Sequence, residues 1–187
     1  MPLVTLTREL VAEIARQYPT LQSLNLSKNT LREVRYLDAL PWLQQLDLSG
    51  NRLRAFPPQL GASCPRLAYV DLGGNAIESL QHVETCENLR ALDLRDNRIE
   101  LFSELQYLQP LQHLEALTLQ GNPIARSPTY RREVLSLLPQ LQTLDGSDVT
   151  PAERLTSANS RAHQWHRHQH QLVRRYKRGQ CLHRHES

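Results

Sequence analysis

Five segments of the chain superimpose without a gap: "LQSLNLSKN", "LQQLDLSGN", "LAYVDLGGN", "LRALDLRDN" and "LEALTLQGN". All obey LxxLxLxxN, with Val70 as the one aliphatic exchange. Their asparagines, Asn29, Asn51, Asn75, Asn97 and Asn122, are separated by 22, 24, 22 and 25 residues. A period of this length excludes most folds, because one such unit has an apolar edge that it cannot bury alone, whereas stacked units bury it against one another. In each unit the leucines at positions four and six, such as Leu46 and Leu48, point inward from a short strand, and the residues flanking them point to the opposite face. Each asparagine has an amide able to bond the turning backbone of a neighbouring coil, so a ladder of asparagines satisfies polar groups that no single unit could pair. The expectation is an α/β solenoid: a curved parallel sheet on the concave face, and helical or irregular returns such as "VRYLDAL" and "LQHVETC" on the convex side.

Solenoid ends expose core and need closing. At the front, Leu6, Leu10, Val11 and Ile14 fall on one face of a helix running from about Thr7 to Tyr18, which Pro19 stops. At the back, "NPIARSPTYRREVLSLLPQLQTLDGSDVTPAER" predicts a helix from Tyr130 to Leu138 and then a sixth strand, "LQTLDG". The organisation expected is a cap helix over 1–20, repeats and a C-terminal cap over 21–149, and a basic helical tail over 150–187.

The 22-residue repeat combined with the "NP…YR..VL..LPQL..LDG..VT..ER" ending resembles one class of leucine-rich repeat proteins. That class includes the regulator of protein phosphatase 1, the U2 small nuclear ribonucleoprotein A-prime protein, the acidic leucine-rich nuclear phosphoproteins, and several ciliary and axonemal proteins. The resemblance spans about residues 6 to 155. It implies a protein-binding scaffold whose partner is a small RNA-binding-domain protein of the U2 particle, placing the chain in the nucleus, or alternatively an axonemal or basal-body component. The basic tail argues against the acidic phosphoproteins, and the small number of repeats argues against the phosphatase regulator.

In parallel strands of matched register, equivalent outward positions form columns. The fifth position of the motif reads Asn25, Asp47, Asp71, Asp93, Thr118 and, in the cap strand, Asp145; the third reads Ser23, Gln45, Tyr69, Ala91, Ala116 and Thr143. Three carboxylates in a row, at a strand spacing of about 4.8 Å, repel one another unless a cation or a basic partner lies over them. Tyr69 is the aromatic anchor beside them. The partner surface is therefore expected at Asn25, Gln45, Asp47, Tyr69, Asp71, Asp93, Thr118 and Asp145. The competing reading is that Asp is repeat idiom at this position, where it caps the adjoining turn. Arg95 and Asp96, at the edge of this face, are expected to pair locally, and Tyr130 to pack over the last coil.

The net charge of +3 is unevenly spread: from Arg161 onward seven Lys and Arg face one acid, a charge of +6, which leaves −3 for residues 1 to 160. "TPAE" at 150–153 is a capping box with Pro151 at the first helical position, so a helix starts there. Its continuation carries Arg167, Arg174, Arg175, Lys177 and Arg178 beside Trp165, Leu172, Val173 and Tyr176, and stops at Gly179. A basic amphipathic helix of this kind suits nucleic-acid phosphates, an acidic protein groove, an anionic membrane surface or folding back onto the acidic column, and the competing reading is a frayed, solvated extension. His163, His166 and His170 share a helical face but lack a supporting carboxylate or thiolate, so no metal site is expected. Nor is any cofactor or small-molecule substrate, since the chain has no phosphate loop, nucleophile elbow or paired acid and base, and "LGGN" at 72–75 is the repeat turn. Three cysteines form no CxxC pair, and Cys64 and Cys86 are expected as reduced, buried thiols. With no apolar run of about 18 residues and no basic-then-apolar start, a soluble, intracellular protein away from membranes is expected.

Overall fold

A computed structural model describes residues 3–158. Helix α1 (Arg8–Gln17) leads into five parallel strands, β1 (Ser23–Asn25), β2 (Gln45–Asp47), β3 (Tyr69–Asp71), β4 (Ala91–Asp93) and β5 (Ala116–Thr118), one for each copy of the motif. Returns are short: a four-residue helix α2 (Leu60–Ser63) and 3-10 turns at Leu37–Ala39, Val83–Thr85, Phe102–Leu108 and Pro123–Arg126. The chain closes with helix α3 (Tyr130–Leu137) and strands β6 (Thr143–Leu144) and β7 (Ser147–Asp148), giving a seven-stranded sheet in sequence order. Helical residues follow from 151 to 158.

The leucines of the motif and the apolar residues of the returns form one continuous core from Leu6 to Val149. Each wholly buried leucine in it removes enough apolar surface to contribute about 1.5–3 kcal/mol. Cys64 and Cys86 lie in this core as free thiols, and burial, their largest perturbation, pushes both up to about 12, so neither is a nucleophile at neutral pH.

The asparagine ladder carries the polar side of the design. Asn51 accepts from Leu31 N–H at 3.0 Å and donates to the carbonyls of Leu26 and Leu48, both at 2.9 Å. Asn97 and Asn122 repeat this pattern on Ile77 and Ile99. The residue before each asparagine is left-handed: Lys28, Gly50, Gly74, Asp96 and Gly121 have φ of 54°, 64°, 64°, 52° and 81°. Glycine occupies three of these five places because it alone adopts that backbone without cost.

Both ends are closed, with two departures from expectation. Thr7 caps α1, accepting from Leu10 N–H, and Val11 is buried while Ile14 packs against the core. Leu10, however, is 37% exposed. Leu6 is buried but precedes the helix, so its spacing to Leu10 is not a helical one and does not put the two on one face. At the other end β6 stops at Leu144, and the chain reverses through Asp145 and Gly146, at φ of 54° and 72°, into the antiparallel β7. Asp-Gly between two strands is a two-residue hairpin turn, so "LQTLDG" is a strand plus a turn and not one longer strand.

Candidate functional site on the concave face

The sheet register brings the expected columns together. Asn25, Asp47, Asp71, Asp93 and Thr118 are successive partners across β1 to β5, and Ser23, Gln45, Tyr69, Ala91 and Ala116 form the parallel column. Asp145 is not among them, which corrects the expectation. Its carboxylate accepts from Leu119 and Gln120 N–H at 2.7 and 3.0 Å and from the Tyr130 hydroxyl at 2.9 Å, and is thus spent on closing the last coil.

Each remaining carboxylate has one oxygen committed locally. Asp47 Oδ1 accepts from Ser49 N–H and Oγ, Asp71 Oδ1 from Gly73 N–H, and Asp93 Oδ1 from Arg95 N–H, all within 2.9 Å. Asn25 makes the same turn with Ser27. The side chain at this position is therefore first a turn cap.

The second oxygens of two of these carboxylates share one cation. Arg95, in the turn two residues after β4, folds back across the sheet, its guanidinium 3.5 Å from both Asp71 and Asp93. Beneath it the side chains of Asp71 and Asp93 are only 11% and 15% exposed, while Arg95 itself remains 52% exposed. Glycine at 73 makes this possible: a Cβ there would stand 2.9 Å from Arg95 Cγ and 3.1 Å from Asp71 Oδ1. The chain itself thus supplies a cation to Asp71 and Asp93, two of the three aspartates in the column. A local pairing of Arg95 was expected, but not that it would roof the column. The signal available in sequence was an arginine following an aspartate in one repeat, next to a glycine in the same place of the preceding repeat.

What faces the concave solvent is accordingly mixed rather than acidic. Gln45, Asn25 and Tyr69 are exposed, Tyr69 by 38%, with Asp47 and Thr118 half-buried and the upper face of Arg95 between them. Burial, followed by the charges of Asp71, Asp93 and Asp47, raises the Tyr69 hydroxyl above its usual range, so it is a neutral donor at physiological pH. Tyrosine and arginine are both enriched among the residues that anchor protein interfaces.

Burial is the largest cause raising the Asp71 carboxyl, and Asp93 and Asp47 add to it against Arg95 and the Gly73 hydrogen bond. A raised folded value means that stability is lost as pH rises through it. Asp71→Asn, which keeps the acceptor for Gly73 as Asn25 does for Ser27, is therefore expected to be more stable than the parent at pH 7. The gain should disappear in mild acid when thermal midpoints are compared across pH.

The Leucine rich repeat family model matches residues 19–77 and 41–99, the region that holds β1 to β4 and most of the ladder. The chain is a leucine-rich repeat protein. This leucine-rich repeat protein is 30% identical over 146 residues to U2 small nuclear ribonucleoprotein A' of Mycosarcoma maydis, covering 73% of this chain and 50% of that protein. It is 36% identical over 129 residues to the alpha subunit of geranylgeranyl transferase type-2 from Bos taurus, covering 68% of this chain and 22% of that protein. The chain thus spans about half of the one relative and about a fifth of the other. Among solved structures it matches a chain of the Drosophila melanogaster SNF/U2A' complex at a TM-score of 0.71 and 28% identity, covering 84% of this chain and 92% of that one.

The tail cations, Arg167, Arg174, Arg175, Lys177 and Arg178, lie outside the described residues, as do His163, His166, His170 and Gly179. The start of that helix is described: Thr150 and Glu153 form the reciprocal capping box, with Glu153 Oε2 accepting from Thr150 N–H at 2.9 Å. No helix among the described residues is long and apolar enough to cross a membrane.

Proposed function

We propose that this leucine-rich repeat protein is a non-enzymatic scaffold of the U2 A' kind. Its concave face would grip a small RNA-binding-domain protein in a nuclear pre-mRNA splicing particle. The observation that carries this reading is the likeness to a chain of the SNF/U2A' complex, which extends over 92% of that chain and so takes in both caps. The concave face suits such a role, since Tyr69 and Gln45 stand clear of it on a rigid sheet with Arg95 beside them. The transferase relative supports no catalytic role, because the shared region is 22% of that protein.

The test is capture of partners by the tagged full-length chain from a nuclear extract. Proteins of the U2 particle should be retained, and Tyr69→Ala combined with Gln45→Ala should weaken that retention by about 2 kcal/mol, roughly thirtyfold. Neither side chain is part of the core, so the double variant should melt with the parent. Recovery of axonemal components in place of U2 proteins would transfer the same surface to the ciliary reading. Wild-type retention by the double variant would move the interface off the concave face.

A further inference from the structure

We infer that the edge of the solenoid where the chain leaves the sheet carries a second docking surface, built from Arg32, Arg52, Arg54 and Arg98, for a short acidic segment of a partner protein. These arginines occupy the first and third places after the asparagines, beyond the turn and away from the concave columns. They line one groove of about 440 Å³ with Asn51, Asn75 and Ala76, and no carboxylate contributes to it. The backbone under them is a second rail of parallel hydrogen bonds: Arg52 N–H to Leu31 O at 2.8 Å, Ala76 to Leu53 at 2.8 Å and Arg98 to Ile77 at 2.9 Å. The guanidinium stems are therefore held in fixed register before any ligand arrives.

Their charge is uncompensated within the fold. Arg98 reaches Glu78 at 3.7 Å, with both side chains 66% exposed, a pair worth little in water. Among the described residues Arg32, Arg52 and Arg54 have no carboxylate within ion-pairing distance, although the body of the chain has more acids than bases. Gathering four cations around one concavity raises the local potential, and arginine's planar fork matches carboxylates in pairs.

The neighbouring surface selects among anions. The third place after the asparagine reads Arg32, Arg54, Glu78, Glu100 along the repeats, so the sign reverses after two coils. A nucleic-acid strand carries charge at every nucleotide and would run on into Glu78 and Glu100. A peptide with a few clustered acids ends where the arginines end. The groove is continuous, through Arg32 and Arg54, with one of about 590 Å³ that Val34, Tyr36, Phe56 and Pro57 line together with Asp38 and the paired Glu33 and Arg35, which has room for an apolar side chain next to the peptide's acids.

The test uses the 187-residue chain with Arg161, Arg167, Arg174, Arg175, Lys177, Arg178 and Arg184 all changed to glutamine, so that the tail's Lys and Arg do not contribute. Fluorescence anisotropy would follow a labelled peptide of four glutamates and one phenylalanine, with a labelled uridine decamer as the second probe. The peptide should bind, Arg52→Gln with Arg54→Gln should weaken it at least tenfold, and Tyr69→Ala with Gln45→Ala should leave it unchanged, which separates this surface from the concave one. Equal melting temperatures would show that the variants fold alike. The inference is overturned if the peptide does not bind, if its affinity survives loss of the two arginines, or if the uridine decamer binds more tightly through those same arginines.

Discussion

Asn97→Ala is expected to cost about 3 kcal/mol of folding stability, among the largest losses available to a single polar substitution in this chain. The side chain is buried, and its Oδ1 is the acceptor for Ile77 N–H at 2.9 Å, while its amide donates to the Leu72 and Leu94 carbonyls at 2.9 and 3.0 Å. The two carbonyls keep a second donor, from Asn75 and Asn122 respectively, so the deletion leaves them partly satisfied. The Ile77 amide has no such reserve, and an unpaired buried donor costs its full desolvation penalty. Urea unfolding should show a lower midpoint at unchanged slope. Asn29→Ala, at a half-buried rung, should cost visibly less; equal losses at the two positions would show that burial does not set the value of a rung.

Arg131→Met should cost about 2–4 kcal/mol by opening the C-terminal closure. The guanidinium donates to the carbonyls of Leu144 at 3.0 Å and Asp148 at 2.9 Å, on both strands of the final hairpin, and its Nε donates to Glu153 in the helix beyond. One side chain thus ties α3, the hairpin and the following helix together. The pH dependence follows from Glu153, whose carboxyl is lowered from 4.5 to about 2, first by the Arg131 hydrogen bond and then by Thr150 N–H. A lowered folded value gives stability that is present above the ordinary value and is lost as pH falls through the folded one. The stability difference between the parent and Glu153→Gln should therefore be full above about pH 4.5 and fade toward pH 2. A difference that persists at pH 2 would mean that Glu153 acts by packing rather than by charge.

Much of this architecture is legible in the letters because the repeat repeats. Leu46, Leu48 and Asn51 appear in five registers, and any error in one copy is corrected by the others. The outward columns followed from the same periodicity, down to the pairing of Asp71 with Asp47 and Asp93. The misses lie where a local rule took over from the period. Asp145 was assigned by its place in the motif, but the following Gly146 makes the pair a hairpin turn, which outranks the column. Leu10 was assigned by helical spacing to Leu6, a residue that lies before the helix begins. Arg95 lies over its neighbours because of which residue is small one coil earlier, a relation between repeats that no single motif contains.

The asparagine ladder also has a direction, with a consequence for how the chain is made. Asn51 serves the Leu31 amide of the coil before it, Asn75 that of Leu53, Asn97 that of Ile77 and Asn122 that of Ile99. A coil emerging from the ribosome therefore cannot complete its own bonds; its buried amide waits until the next coil, 20 to 23 residues later, delivers the acceptor. Each newly synthesised repeat locks its predecessor and leaves itself open. Past the last asparagine the Asp145 carboxylate closes the coil at a different place, accepting the Leu119 and Gln120 amides at the end of β5.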